Sequence, residues 1–185
     1  MLENKIQEII QQGLPVKLHL GCGPNLYDGW INIDGDYCTG QPGVTIHNLT
    51  DPYPIPDNSV DEILTVHVIE HISRGEVSAM IKEWLRILKP TGFVATEWPD
   101  LLKLCQFIVN DPSSIYSTNN KIQKRAVAGI YGNIDRYKDI SMLHKWGYSE
   151  ESMCLLYQEH GYSKTIIESP RYKKSLADGR VVAYK

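Results

Sequence analysis

The chain has 185 residues, 42% of them hydrophobic and 22% charged, with a formal net charge of −3. That length suits one domain with a substantial core, and the near-average composition excludes intrinsic disorder, collagen-like repeats and a coiled coil as descriptions of the whole. The slightly acidic balance counts against a partner held chiefly through nucleic-acid phosphates, because such domains carry a clear basic excess.

The opening residues predict an amphipathic helix. Leu2, Ile6, Ile9 and Ile10 share one face, Glu3, Lys5, Gln7 and Glu8 the other, and Gly13 and Pro15 end it. It lacks the unbroken apolar centre of a signal peptide, and no uncharged apolar stretch approaches the roughly 20 residues that span a bilayer. A cytoplasmic protein without membrane contact is expected. Short apolar runs at 16–21, 30–35, 44–49, 61–69 and 92–98 then predict five strands. Between the last two, Ser73 and Glu76 have the spacing of a capping box, and Val77, Met80, Ile81, Trp84, Leu85 and Leu88 keep the helical period up to Pro90 and Gly92. A strand–helix–strand unit of this length is a parallel crossover, so the class is α/β.

Past residue 100 the pattern changes. Residues 101–110 predict an apolar helix, 111–120 a loop and 121–133 a weaker helix with a basic start, so 105–147 is expected to form a flap over one end of the sheet within a single domain, 1–185. Ser149 predicts the cap of a helix stopped by Gly161. Residues 162–169 and 179–185 predict two strands joined through Pro170 and the turn pair Asp178-Gly179; with no helix between them, they should pair antiparallel. Cys22, Cys38, Cys105 and Cys154 form no C-x-x-C pair, which predicts isolated thiols in a reducing compartment and no structural zinc.

The most informative stretch is LHLGCGPNLYDGWINIDGD, residues 18–36. Gly21 and Gly23 fall at the carboxyl end of the first strand, where an open α/β sheet places its ligand and where a missing Cβ lets a cofactor approach the backbone. A tight strand exit also needs glycine for structural reasons alone. Asp34, at the end of the second strand, adds a carboxylate positioned to accept from both hydroxyls of a ribose. A dinucleotide site continues G-x-G-x-x-G so that a helix N-terminus can meet the pyrophosphate. Here that third position is Leu26, and the interval up to Trp30 leaves little room for a helix. S-adenosylmethionine carries adenosine without pyrophosphate and fits better.

LHLGCGPN, WINIDGD, DPYPIPDNSVDEIL, HVIEHI, LRILKPTGFVATEWPD and HKWGYSEESMCLLYQEHGY, in that order, resemble a class I S-adenosylmethionine-dependent methyltransferase, and more narrowly the compact bacterial group related to the type 11 methyltransferases. The resemblance runs from about residue 16 to the end. It implies a Rossmann-like seven-stranded sheet of order 3-2-1-4-5-7-6 with strand 7 antiparallel. It places Leu20, Gly21, Cys22 and Gly23 under the methionine and ribose of the cofactor, Asp34 on the ribose hydroxyls, Asn48 and Leu49 at the adenine edge, and His67 on the opposite side. Three positions depart from the family pattern. Asn48 stands where an aspartate is usual, His19 where many relatives have a carboxylate that helps hold the methionine ammonium, and the link between the first two strands is very short, with Tyr27 available to fill a helix's place.

Methyl transfer from a sulfonium turns a cation into a neutral thioether, so the leaving group needs no acid. Catalysis then reduces to alignment plus, for a hydroxyl acceptor, a base. His71 and His144 are the candidate bases, with Lys145 and Trp146 as a cation and an aromatic wall, although a histidine here can equally serve as a hydrogen-bonding support and His71 as a helix cap. Trp84 reads as core, Trp30 and Trp98 as core or pocket wall, and Asp100 as a substrate-edge carboxylate or an N-cap. Glu70, His71 and Asp100 lack a metal-specific spacing, and no metal is expected. Lys121, Lys124, Arg125, Arg171, Lys173 and Lys174 read as solvated surface in preference to a phosphate site. The Asn/Asp-Pro-Pro-aromatic signature of amino-group methylation on nucleic-acid bases is absent after the fourth strand. The expected acceptor is therefore a hydroxyl or amine of a small metabolite or saccharide precursor. A non-catalytic S-adenosylmethionine-binding module is the alternative, and a nucleotide-dependent oxidoreductase is disfavoured by Leu26.

Overall fold

A computed structural model describes residues 2–35, 40–115, 121–132, 140–172 and 177–185, with backbone alone at 114 and 121–125. In chain order the elements are α1 (Leu2–Gln11), β1 (Lys17–Leu20), β2 (Ile31–Asp34), β3 (Val44–Ile46), β4 (Val60–Val66), α2 (Arg74–Ile87), β5 (Leu88–Pro99), α3 (Leu101–Asn110), α4 (Lys121–Tyr131), α5 (Glu150–Glu159), β6 (Lys164–Ile167) and β7 (Asp178–Tyr184). Short 3-10 turns cover Ile69–His71, Pro112–Ile115 and Ile140–Met142. The seven strands form one sheet of order β3-β2-β1-β4-β5-β7-β6. β1 to β5 run parallel, and β7 lies antiparallel to both β5 and β6. This is the sheet the sequence implied, including the antiparallel closing pair.

Strand side chains alternate between faces. Leu18, Leu20, Ile33, Ile63, Val94, Val181 and Ala183 point into the main core, where α1 contributes Leu2 and Ile6, α2 contributes Val77, Met80, Ile81, Trp84 and Ile87, and α5 contributes Met153, Leu156 and Tyr157. Each fully buried aliphatic or aromatic side chain here is worth about 1.5–3 kcal/mol, so packing rather than helix propensity holds these helices. The other face is different. Leu64, Ala95 and Val182 are buried there beneath Tyr27, Trp30, Val66, Phe93 and Tyr184, and among the described residues no helix contributes to that cluster. The missing helix between β1 and β2 is replaced by side chains. His19, buried on this face, stacks on Tyr27 at 4.5 Å and bonds through Nδ1 to Asn32 Oδ1 at 3.1 Å. Tyr27 in turn meets Tyr172 at 5.4 Å. Trp98 and Trp84 are both core, while Trp30 belongs to the helix-free face.

Several local expectations change. α2 ends at Ile87, not at Pro90, because Lys89 precedes a proline and is kept out of the helical region; Leu88 is already extended and pairs with Val60, and the register shifts before Glu62 pairs with Phe93. The capping box at Ser73 does not close: the Ser73 hydroxyl donates to the Glu76 carboxylate, and the Glu76 amide goes to the Ser73 carbonyl. Asp178 and Gly179 are not a turn but the first residues of β7, opposite Pro99 and Trp98. The capping box appears instead at Ser149, with Ser152 as its partner.

Over the β5 end, α3 and α4 meet through Leu104, Ala126, Ile108 and Ile130. They belong to the expected flap; its residues 116–120 and 133–139, like Cys38, Lys173 and Lys174, lie outside the described residues, as do the side chains of Lys121, Lys124 and Arg125. Arg171 is exposed and paired with Glu168. Among the described residues no helix is long and apolar enough to cross a membrane.

Candidate active site

Two groups of side chains gather along the carboxyl edge of the parallel strands. The first forms where β1 and β2 end. The amides of Gly21 and Cys22 both donate to the Ile33 carbonyl, at 2.8 and 3.2 Å, and the Gly23 amide donates to Asp34 Oδ2 at 2.6 Å. Asp34 Oδ1 accepts from the Gly35 amide at 2.8 Å. Each carboxylate oxygen keeps a further acceptor position for a ribose hydroxyl. Gly21 and Gly23 both have positive φ, +67° and +51°, but for different surroundings. A Cβ on Gly21 would lie 2.3 Å from Val68 Cγ2, so this glycine lets the chain leaving β4 pack closely; a Cβ on Gly23 would meet nothing within 4 Å. Gly23 is thus the glycine with open space for a ligand. Leu20 and Cys22 are buried beside it.

Asn48 and Leu49 follow β3, which ends at Ile46 and is shorter than expected. Asn48 is exposed, its Oδ1 accepting from the Thr50 amide and hydroxyl at 3.3 and 3.2 Å, and Leu49 packs against the core.

The second group forms where β4 ends. His67 takes φ of +57°, its amide donating to the Glu97 carbonyl at 2.8 Å. Its ring lies between two carboxylates: Nδ1 is 3.4 Å from Glu70 Oε1 and Nε2 is 3.4 Å from Asp178 Oδ2. Glu70 is only 2% exposed and Asp178 4%. His71 and His144, far apart in sequence, meet edge to face with centroids 4.7 Å apart. His71 Nδ1 lies 3.1 Å from the Leu143 carbonyl and His144 Nδ1 2.7 Å from that of Gly129. These contacts favour a proton on each Nδ1 and leave Nε2 as the nitrogen with a lone pair. Burial pushes the His144 pKa below its ordinary value; the nearby Glu70 charge opposes this, and His71 adds to it. The ring is therefore neutral near pH 7.

Beside this group opens a cleft of about 350 Å³, lined by Glu70, His144, Lys145 and Trp146 together with residues of α3 and α4. Lys145 and Trp146 are held there by their amides, which donate to the Glu70 carbonyl at 2.7 and 3.3 Å. Asp100 does not join the group. Its Oδ1 accepts from the Lys103 amide and its Oδ2 from the Glu150 amide, so it caps α3 and α5 together. Glu97 is also structural, accepting from the Arg171 and Tyr172 amides and from Arg180. Sequence reasoning missed Asp178 by assigning it to a turn, and it left Glu70 without a role; nothing in a local motif reports that both carboxylates are buried.

A family profile described as a methyltransferase domain matches residues 31–96, from β2 into β5. No curated protein matches the sequence. Among solved structures, a methyltransferase dependent on S-adenosylmethionine (SAM) from Archaeoglobus fulgidus superposes with a TM-score of 0.60 at 16% identity, over 100% of this chain and 93% of that one. The chain has the class I SAM-dependent methyltransferase fold. A SAM-dependent methyltransferase from Methanosarcina mazei gives 0.58 at 15% identity over 96% of both chains. A Thermotoga maritima protein described as a SAM-dependent methyltransferase and possible histamine N-methyltransferase gives 0.57 at 14% identity, over 97% of this chain and 87% of that one. The profile match covers about a third of the chain, and at these identities the likeness to the solved structures is one of fold.

Proposed function

We propose that this domain transfers the methyl group of SAM to a hydroxyl or amine of a small metabolite or saccharide precursor. The observation that carries the reading is the placement of the two groups at one sheet edge, an open glycine and ribose-type carboxylate at β1/β2 and a histidine-lined cleft at β4/β5. Gly21, Cys22, Gly23 and Leu20 hold the methionine and ribose, Asp34 the ribose hydroxyls, Asn48 and Leu49 the adenine edge, and His67 borders the cofactor from the β4 side. A cleft of about 350 Å³ is in the range of small-molecule sites. The Thermotoga relative, described in terms of a small amine, is consistent with that scale.

In the transfer, the acceptor lone pair attacks the methyl carbon in line with the C–S bond. That bond breaks as the new one forms, and the sulfonium leaves as a neutral thioether. The acceptor's proton must go elsewhere; His144 lines the cleft and His71 stands against its ring, each with an Nε2 lone pair to assist that loss. Lys145 and Trp146 supply charge and an aromatic wall for the rest of the acceptor.

Calorimetry with the product S-adenosylhomocysteine tests the cofactor half, and methyl release against a panel of sugars and small metabolites tests the acceptor half. Asp34→Ala should weaken product binding by about 1.5–3 kcal/mol, the value of hydrogen bonds to a charged acceptor. Unchanged affinity would remove Asp34 from the ribose. Product binding with no turnover on any acceptor leaves the non-catalytic module as the better description.

A further inference from the structure

We propose that Glu70, His71 and His144 bind a divalent transition-metal cation at the edge of the cleft. One ligand atom from each lies within 4.8 Å of the others. With metal–ligand distances of about 2.0–2.2 Å, the ligands of a tetrahedral ion stand about 3.4 Å apart. Closing the group therefore needs the ligand atoms to converge by about 1.4 Å, shared among three side chains.

The electrostatics call for a cation. Glu70 is 2% exposed, and neither of its side-chain oxygens has a hydrogen-bond donor among the described residues. Asp178 Oδ2 is equally unpartnered and 4% exposed. No lysine or arginine forms an ion pair with either carboxylate among the described residues, and His67 is the one titratable group between them. Two buried carboxylates facing a single imidazole leave negative charge uncompensated, which a protein interior penalises. A divalent cation offsets it.

The histidines are arranged as ligands usually are. In each, Nδ1 faces a backbone carbonyl, fixing the tautomer and the ring plane and leaving Nε2 to coordinate. The third ligand is held in register by the two amides of Lys145 and Trp146 on the Glu70 carbonyl, immediately beyond His144. Two imidazoles and a carboxylate suit zinc, manganese, iron or cobalt better than magnesium or calcium, which prefer all-oxygen sites. Three protein ligands leave coordination positions open toward the cleft.

The consequence for chemistry rests on the methyltransferase reading and sharpens it: the acceptor is a hydroxyl. An amine that coordinated the ion would spend its only lone pair, whereas an oxygen keeps one for attack. With the ion bound, His71 and His144 serve as its ligands in place of acting as bases: the coordinated O–H loses its proton to solvent water, the oxygen takes the methyl carbon, and the C–S electrons remain on the departing thioether.

The test uses the whole chain, stripped with a chelator and titrated with Co²⁺ by calorimetry and visible absorption. One equivalent should bind, with ligand-field bands and no near-ultraviolet thiolate charge-transfer band. Glu70→Gln and His71→Ala should each weaken binding by about tenfold or more, while Cys105→Ser, at an exposed thiol, should leave it unchanged. S-adenosylhomocysteine binding, measured on every variant, serves as the check on folding. No Co²⁺ bound by the wild type, affinity unchanged in both site variants, or a thiolate band would overturn the metal site while leaving the cofactor reading untouched. Co²⁺ bound as expected without any S-adenosylhomocysteine binding would do the reverse.

Discussion

Replacing Asp100 by alanine removes one side chain and two helix caps. Its carboxylate accepts from the Lys103 amide at 2.9 Å and from the Glu150 amide at 2.8 Å, and the residue is 2% exposed, so water does not substitute easily. An N-cap is typically worth about 1 kcal/mol, with a range of about 0.5–2. Two caps on one carboxylate therefore give a loss near 2 kcal/mol for Asp100→Ala, within about 1–4. The partial positive ends of both helices converge on this negative charge, which keeps the loss away from the bottom of the range. The backbone bonds of the same turn, from the Asp100 amide to the Ala177 carbonyl and from the Leu101 amide to that of Tyr148, survive the substitution and confine the effect to the side chain. Asp100→Asn keeps one acceptor and presents an NH₂ group to the other amide, so it should lose about half as much or slightly more. Urea denaturation followed by circular dichroism measures both. For a chain of this size, 2 kcal/mol corresponds to a fall of about 4–8 °C in Tm. A loss below about 0.5 kcal/mol for Asp100→Ala, or an asparagine variant equal to wild type, would falsify the double cap.

Two further outcomes concern stability. Gly21→Ala should cost about 1–2 kcal/mol for the left-handed backbone and about 1–3 more for the collision with Val68; adding Val68→Ala should recover the steric part, and additive losses in a double-mutant cycle would show that the two do not touch. His19 has its pKa lowered, by burial first, with the Asn32 hydrogen bond and the Asp34 charge opposing. The unfolded chain thus takes up a proton that the folded one refuses, and stability falls as pH drops below about 6.5. His19→Gln should flatten that decline between pH 7.5 and 5.5 in thermal melts, and an unchanged slope would mean that His19 does not contribute to it.

Much of the fold was legible because its signals are local. The helical period of Val77 to Trp84, the turn out of β1 at Gly21 and Gly23, and the cap at Ser149 each lie within a few residues. The candidate site divides along the same line. Gly23 and Asp34 are read from one short stretch because the chain leaves β1, turns and returns through β2 with no helix between. The pairing of His71 with His144 spans more than seventy positions and depends on how α3 and α4 bring the chain back past Glu70, for which no periodicity exists. His19 shows the opposite case. Alone it looked like a lost cofactor contact, whereas Tyr27 and Asn32 make it part of the cover over a sheet face without helices. Asp178 looked like turn chemistry because Asp-Gly is a turn signal, yet pairing with β5 overrides local preference.

The bonds that tie Gly21, Cys22 and Gly23 to Ile33 and Asp34 are made by the protein with itself. The loop that meets the ligand thus has its shape before any ligand arrives, and association need not spend free energy on ordering it. A site of that kind binds with little backbone movement. On the proposed reading of Asp34 its selectivity is steric: a molecule whose ribose cannot reach Asp34 across the bare backbone of Gly23 finds no alternative loop conformation to accommodate it, and is rejected at the mouth of the sheet.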